Sequence, residues 1–259
     1  MYFGDRPYPV LISMKFIIFY YFFGSILFAQ SIDDPENSIL SVISNLNIKE
    51  NTSEIIPGTF DLSWVDSLKL QLPCDNVPPP KRTMRLPNAP RDYRSGTHRG
   101  IDFFANWGTP VKAVSDGIVI RADHGHEEVP ADFRVNMLSA SAKVGNTPSD
   151  IFNNILLGRA IFLDHGFDLI PGFRVITIYA HLSHIDKNIK PGAVIKAGDV
   201  MGQSGNSGTR ESTVGLKAGA HLHWEMILQK GKQEIYLGKD VPNPQLYAML
   251  RRIFYKENP

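Results

Sequence analysis

The sequence lacks the features that mark several common classes of protein. Its single cysteine, Cys74, rules out an intramolecular disulfide and is expected to be a structural thiol. Basic and acidic residues number 27 and 26, and this balance gives no support for nucleic-acid binding, which requires a basic excess or stripe. A hydrophobic content of 43% over 259 residues argues against wholesale disorder. We therefore expect one large domain, or one medium-sized domain with appendages, and no nucleic-acid partner.

The N-terminal segment lacks an apolar run long enough for a bilayer span. Lys15 precedes fourteen largely apolar residues, Phe16–Ala29, whereas a spanning helix needs about 20. A charged start, a short apolar core and a small residue predict a signal peptide over residues 1–29, with cleavage after Ala29. The alternative is an uncleaved membrane anchor. Both place the folded part in the periplasm or outside the cell, and no stable membrane span is expected after cleavage.

From residue 91 onward, short apolar runs alternate with glycine-containing turns. The dipeptide Asp116-Gly117 between two β-rich runs predicts a hairpin. The spacing as a whole predicts a mainly β protein, an antiparallel β-sandwich or barrel-like sheet. The predicted strands are residues 111–114, 118–122, 160–164, 174–181, 192–195 with 200–201, and 221–228.

Two helices interrupt this pattern. Thr147 as N-cap, Pro148 at the first helical position and Gly158 as the stop predict a short helix inside a long insertion, residues 124–158. An apolar stripe over residues 243–255 predicts a C-terminal helix that serves packing.

The domain boundary is predicted from a proline-rich stretch. Residues 72–82 contain four prolines between polar residues and are interpreted as an extended linker. Residues 30–90 are therefore assigned to an N-terminal segment with this linker, and residues 91–259 to the main domain with its insertion.

Among eight histidines, the pair His221 and His223 has the sharpest local pattern. In a strand, residues i and i+2 point to the same face, so both imidazoles project to one side while Leu222 and Trp224 face the other. Two neutral imidazoles on an otherwise apolar strand are costly to leave unpaired. Metal ligation, or one ligand beside one catalytic base, would remove that cost.

A second pair, His98 and Asp102, also shares a face if its segment is extended. Imidazole nitrogen and carboxylate oxygen both bind zinc at about 2.0–2.2 Å. Gly100 between them permits a bend and leaves room for a close neighbour. Together with His223, this pair predicts one zinc ion with three protein ligands and a fourth position for water, as in catalytic sites.

The remaining histidines divide into two groups. His181, at the end of an apolar strand, and His221 can act as a base or as donors to a developing oxyanion. The other four are expected to lack a chemical role: His124 and His126 in a solvated loop rather than a second metal site, His165 structural at a strand end, and His184 exposed in a loop.

These motifs resemble the lysostaphin-like M23 metallopeptidases of the LytM type. The shared features are HxxxD at His98–Asp102, an isolated histidine in Tyr179–Leu182, and His-Leu-His-Trp-Glu at His221–Glu225. Glycine-containing segments at residues 100–111 and 195–208 agree with the family. The resemblance covers roughly residues 91–230.

The resemblance implies zinc held by His98, Asp102 and His223, with His181 and His221 serving catalysis. It implies a duplicated hybrid motif on an antiparallel β fold. It also implies zinc-dependent endopeptidase action on the cross-links of bacterial peptidoglycan, whose peptide stems would be the partner.

Several points stay open at this stage. A non-catalytic wall-binding or activator protein on the same fold is the main alternative, although such members usually lack a ligand and none is missing here. A cytoplasmic carrier domain is disfavoured by the signal-like N-terminus. Residues 31–90 could cover the groove as a latency segment, and the insertion 124–158, longer than the family's usual loop, leaves substrate preference undetermined. The family often uses a tyrosine near the oxyanion, for which Tyr93 is the candidate, with packing as the alternative.

Overall fold

Antiparallel β-strands dominate residues 58–254, the part of the chain that the computed structural model describes. The mainly β class predicted from the spacing of apolar runs and glycines is confirmed. The predicted signal peptide, residues 1–29, lies outside the described residues. Within residues 58–254, no helix combines the length and apolar character that a membrane crossing needs.

The larger sheet carries the residues predicted to bind metal. Its described strands are β3 (Ile101–Phe103), β5 (Gly117–Ala122), β6 (Ile161–Asp164), β7 (Arg174–Ala180), β9 (Val194–Ile195), β11 (Leu222–Lys230) and β12 (Gln233–Tyr236). The order is β12-β11-β7-β6-β5-β9, and β3 pairs with β11 as well. Because this path has two separate ends, the described part of the sheet is open, and the barrel-like alternative is not formed there.

Two smaller sheets complete the β structure of residues 58–254. One has the order β4-β10-β8, with β4 at Pro110–Lys112, β8 at Leu182–Ile185 and β10 at Val200–Ser204. The other is a short ribbon of β1 (Pro90–Arg91) and β2 (Gly96–Thr97). Packed sheets of this kind fit the predicted sandwich.

The predicted hairpin at Asp116-Gly117 is wrong. The strand before this turn, β4, pairs with β10, whereas β5 after it pairs with β6 and β9 in the other sheet. The Asp116 carboxylate accepts hydrogen bonds from the backbone N–H of Ala197 and from Lys196 Nζ. These contacts tie the turn to the connection between β9 and β10, so the chain passes from one sheet to the other there.

One face of β11 forms the centre of the core. Leu222, Trp224, Met226 and Leu228 alternate along the strand and are all fully buried, as their shared parity predicted. Burying a side chain of this size contributes about 1.5–3 kcal/mol. The opposite face of the same strand carries His223, and His221 comes just before the strand, so burial of the core face fixes the position of the site residues.

The segment that leads into β1, residues 58–90, packs into the same core. Its backbone includes short 3-10 turns at Leu62–Val65 and Thr83–Arg85. Burial raises the pKa of the Cys74 thiol to about 12, which leaves it an unreactive structural group. The predicted boundary at residue 91 is untested by this packing and stays a prediction. The large buried apolar side chains of the segment are Phe60, Val65, Leu68, Leu70 and Leu86.

The insertion holds more helix than the sequence predicted. Helix α1 (Ala131–Val144) was missed because Leu138 and Ser141 are its buried residues, and this leaves little apolar periodicity to recognise. Helix α2 (Ser149–Ile151) continues as a π-helical turn, Phe152–Leu156.

The predicted capping of this short helix is wrong in part. The Thr147 hydroxyl donates to the Arg94 carbonyl instead of accepting from the helix backbone. Gly158 does end the segment, with a φ of +65° that favours glycine.

Two helices follow the insertion. The four-residue helix α3 (Arg210–Thr213) was not predicted, and its N-cap Thr209 accepts a hydrogen bond from the Ser212 N–H. Helix α4 (Asn243–Phe254) confirms the predicted C-terminal helix. Its stripe of Leu246, Leu250 and Ile253 is buried, so it serves packing as expected.

Candidate metal centre

The pairing of β3 with β11 places Asp102 directly opposite His223. Opposed residues on antiparallel strands point to the same face, and Asp102 Oδ1 lies 2.8 Å from His223 Nδ1. His98, just before β3, brings its Nε2 to 2.9 Å from Asp102 Oδ1 and 3.0 Å from His223 Nδ1. All three side chains are buried. The structure thus brings the three predicted ligands to one point.

Gly100 makes this approach of the two strands possible. A Cβ at this position would lie 2.4 Å from the Trp224 carbonyl oxygen and 2.9 Å from the His223 ring. No other residue fits without moving the backbone of β11. The prediction that Gly100 leaves room for a close neighbour agrees with this geometry.

Hydrogen bonds behind the cluster fix which nitrogens face inward. His98 Nδ1 lies 2.9 Å from the Leu86 carbonyl oxygen, and His223 Nε2 lies 2.9 Å from Glu225 Oε1. Both oxygens accept, so those nitrogens carry the hydrogens and the inward nitrogens carry lone pairs. With Asp102 Oδ1, three acceptors face one another and repel unless a proton or a metal cation lies between them. Two imidazoles and a carboxylate with such outer partners fit zinc.

The electrostatics of the cluster lead to the same conclusion. Burial opposes ionisation of Asp102, but His98 and His223 outweigh it and hold the carboxyl pKa well below its ordinary value. Burial lowers the pKa of His98. Burial also acts to lower the pKa of His223. Hydrogen bonds to Asp102 and Glu225 outweigh this effect and raise the His223 pKa to about 9. In metal-free protein a proton therefore sits at His223, and a bound metal would displace it.

Glu225 and Arg99 support the cluster and were not assigned a role from sequence. Glu225 is fully buried, and its Oε2 lies 3.1 Å from Arg99 Nη2. Burial acts to raise the Glu225 pKa, but the hydrogen bond from His223 and the charge of Arg99 lower it on balance. The Arg99 guanidinium lies 4.4 Å from the ring centre of Phe152 in the insertion. Glu225 lies two residues after His223 on the same strand, so the sequence already placed both side chains on one face. This spacing was the signal for the supporting role of Glu225.

His181 and His221 flank the cluster with their ring centres 4.8 Å apart. His181 follows β7 with a φ of +61°, which is uncommon for a residue other than glycine. Its backbone N–H donates to the Leu157 carbonyl and its Nδ1 to the Ser207 carbonyl. These bonds hold the ring in place.

His221 is oriented in the same way. Its Nδ1 donates to the Gly219 carbonyl, and its Nε2 lies 3.7 Å from Asp102 Oδ1. Burial lowers the pKa of His221 and holds that of His181 well below its ordinary value. Both rings are therefore neutral at pH 7, each with an unprotonated Nε2. All five predicted site residues lie in one cluster.

The cluster lies in a cleft of about 460 Å³. Arg134, Phe152 and Leu156 from the insertion line it, as do Thr209, Arg210 and Glu211 beside α3. Tyr93, the candidate oxyanion residue, also lies on the cleft and is 56% exposed. Within residues 58–90 no side chain lines the cleft, so the described part of the segment considered for latency does not line the site.

The remaining histidines differ in part from expectation. His165 is buried between the Asp116 carbonyl and the Thr177 hydroxyl, a structural setting. His184 is exposed as predicted but belongs to β8, not to a loop. His124 is exposed.

The solvated loop predicted for His124 and His126 is right for His124 but wrong for His126, whose side chain is largely buried. The half-buried Glu128 accepts from the Gly208 N–H and Ser212 Oγ, and His126 Nε2 lies 3.4 Å from it. Among the described residues, three potential ligands converge at His98, Asp102 and His223, and no such group forms at His126.

A mainly antiparallel β fold that presents a buried His-Asp-His cluster in a cleft defines a candidate metalloprotein. The family model for peptidase family M23 matches residues 139–235, which include His181, His221 and His223. The resemblance to M23 peptidases predicted from the motifs is confirmed over this part of the chain.

Curated relatives match about half of the chain. It is 26% identical to glycyl-glycine endopeptidase ALE-1 of Staphylococcus capitis over 138 residues, 53% of this chain and 26% of that protein. It is 26% identical to lysostaphin of Staphylococcus simulans over 139 residues, 54% of this chain and 20% of that protein. The chain thus spans about a quarter or less of the length of these relatives.

Solved structures are also similar. The catalytic domain of lysostaphin from Staphylococcus simulans is 24% identical, with 72% of this chain and 97% of that chain covered and a TM-score of 0.35. A zinc-containing peptidase from Vibrio cholerae is 22% identical, with 56% and 31% covered and a TM-score of 0.34.

Proposed function

We propose that the chain is a zinc-dependent endopeptidase that hydrolyses peptide cross-links of bacterial peptidoglycan. The observation that carries this proposal is the convergence of three acceptor atoms, His98 Nε2, Asp102 Oδ1 and His223 Nδ1, in a cleft. The M23 match and the relatives named as glycyl-glycine endopeptidase and lysostaphin support it.

We also propose export to the periplasm or the outside of the cell, on the pattern of residues 1–29 alone.

The three ligand residues would hold one zinc ion, which polarises a carbonyl and makes bound water acidic, with a pKa of about 7. The chain prepares its own part of this site. Leu86 and Glu225 orient the two imidazoles so that the nitrogens that would bind the metal already point inward. The ionised Asp102 carboxylate offsets positive charge in a buried setting. Little reorganisation is then needed when the metal binds.

His181 and His221 would accept and then donate the proton that is transferred during hydrolysis. Each has its Nδ1–H bound to a backbone carbonyl, which leaves Nε2 free to accept a proton from the attacking water. Because burial lowers both pKa values, the imidazolium then releases its proton readily to the leaving amine. Positioned general acid–base catalysis of this kind contributes about 10²- to 10⁴-fold.

The test compares wild type with His223→Ala and with the control His184→Ala, which removes an exposed histidine on β8. We expect about one zinc per chain and release of peptides from purified cell walls for wild type and the control. His223→Ala should lose both. The proposal fails if wild type holds no metal and both variants digest walls as well as it does. Tight wall binding without cleavage by the zinc-loaded protein would favour the non-catalytic alternative.

A further inference from the structure

The cleft has a positive lining that the metal cluster does not explain. Two acidic residues, Asp102 and Glu211, line it, and Asp102 belongs to the metal cluster. The whole chain has 27 basic and 26 acidic residues, so the excess of arginine in the cleft is local. A cleft lined mainly by one sign of charge attracts ligands of the opposite sign. The lining arginines are Arg91, Arg94, Arg134 and Arg210.

Two of these arginines are used within the fold. Arg94 is buried, and its guanidinium donates to Thr147 Oγ1 and to the Thr97 carbonyl. Arg91 Nη2 donates to the Met84 carbonyl and lies 3.4 Å from Asp102 Oδ2. Neither guanidinium is available as a whole to a ligand.

Arg134, on α1, is different. It is half-buried, and its Nε donates to the Gly208 carbonyl over 3.3 Å. Among the described residues, its two Nη groups have no hydrogen-bond partner and form no ion pair, although the charges of Glu211 and Glu128 act on the guanidinium. A guanidinium held at Nε presents both Nη groups as a planar fork that matches a carboxylate. Arg210 on α3, exposed, stands on the same cleft.

We propose that Arg134 forms a subsite for a free carboxylate of the peptide substrate, with Arg210 adding positive charge nearby. This inference rests on the proposed function and narrows its substrate class. A neutral glycine bridge offers such a fork no anion, whereas peptide stems with unamidated carboxyl groups do. The insertion, through α1, therefore selects cross-links whose stems carry a negative charge.

The test uses one pool of soluble cross-linked wall peptides, either native or with every carboxyl group converted to a carboxamide. Wild type, Arg134→Gln and Arg134→Lys are compared. Lys143→Gln is the matched control, because it removes one positive charge from an exposed position of the same helix that does not line the cleft. Thermal unfolding and zinc content show that each variant is folded and loaded.

We expect wild type and the control to prefer the native pool by at least about 10-fold in kcat/KM, through KM. In Arg134→Gln the preference should disappear, because kcat/KM for the native pool falls to that for the amidated pool, and Arg134→Lys should keep part of the preference. Equal cleavage of both pools by wild type, or a preference retained by Arg134→Gln, would overturn the inference. If zinc-loaded wild type cleaves neither pool, the proposed function fails, and equilibrium binding of the same two pools to wild type and Arg134→Gln decides the subsite.

Discussion

The two sides of the cleft are built by different means. On the strand side, β3 and β11 pair in a fixed register, and this register alone sets Asp102 against His223. On the insertion side, α1 has two buried residues and is held by single polar contacts, such as Ser95 Oγ to the Ala142 carbonyl and Arg134 Nε to the Gly208 carbonyl. The first side is determined by backbone pairing and the second by individual side chains.

This difference predicts where the molecule tolerates change. A register shift of one residue would turn every side chain of β11 to the other face, so the ligand positions cannot drift without loss of the core. Polar contacts at the surface contribute about 0.5–1.5 kcal/mol each and can be exchanged singly. We therefore expect changes on the strand side to affect metal binding and folding, and changes on the insertion side to affect substrate preference.

The largest effect is expected from removing the segment that supports the strand side. A chain that starts at Arg91 loses the five large buried apolar side chains of residues 58–90, worth about 8–15 kcal/mol as an upper bound. That is similar to the whole net stability of a domain, about 5–15 kcal/mol. It also loses the Leu86 carbonyl that orients His98. We expect no cooperative thermal unfolding and no zinc retention.

The control for this deletion is a chain that starts at Gly58, which keeps the whole described segment. It should unfold cooperatively and hold about one zinc per chain. If the chain that starts at Arg91 instead folds and digests walls faster than the full chain, then the predicted boundary at residue 91 is right and the preceding residues are a latency segment.

Glu225→Gln tests the outer support of the cluster, with an intermediate effect. The amide keeps an acceptor for His223 Nε2 but removes the charge that pairs with Arg99 and helps to raise the His223 pKa to about 9. Changing such an outer partner typically weakens metal affinity by about 10- to 100-fold. Competition with a zinc chelator measures the change. Glu234→Gln, an exposed position on the adjacent β12, should leave zinc affinity unaltered, and equal affinity in both variants would contradict the role of Glu225.

The same contrast explains which parts the sequence predicted. The sequence could place two pairs of ligand candidates on a shared face, because side-chain direction in an extended chain depends on spacing alone. The pairs are His221 with His223 and His98 with Asp102. The role of Gly100 could be predicted because a residue without a side chain leaves room for a neighbouring strand. The hairpin at Asp116-Gly117 was wrong because turn chemistry does not identify the sheet that each flanking strand joins.

Helix α1 was missed for the opposite reason. Its sequence shows little apolar periodicity since few of its residues are buried, and its position depends on contacts with residues far away in the chain. Glu128 is similar: its bonds to Gly208 and to Ser212 in α3 join segments about 80 residues apart. No local pattern identifies partners of this kind, so the cleft wall could not be derived from sequence.

The smallest effect is expected at the point where the two sides meet. Phe152→Leu keeps an apolar side chain on the cleft but removes the aromatic face beneath Arg99, a contact worth about 0.5–1 kcal/mol. Zinc affinity should therefore fall by no more than about 5-fold, through a less firmly held Glu225. Phe162→Leu removes a comparable contact with Arg121 outside the cleft lining and should not change zinc affinity. A loss in Phe152→Leu as large as in Glu225→Gln would mean that the insertion is part of the metal support, and the separation between the two sides would no longer hold.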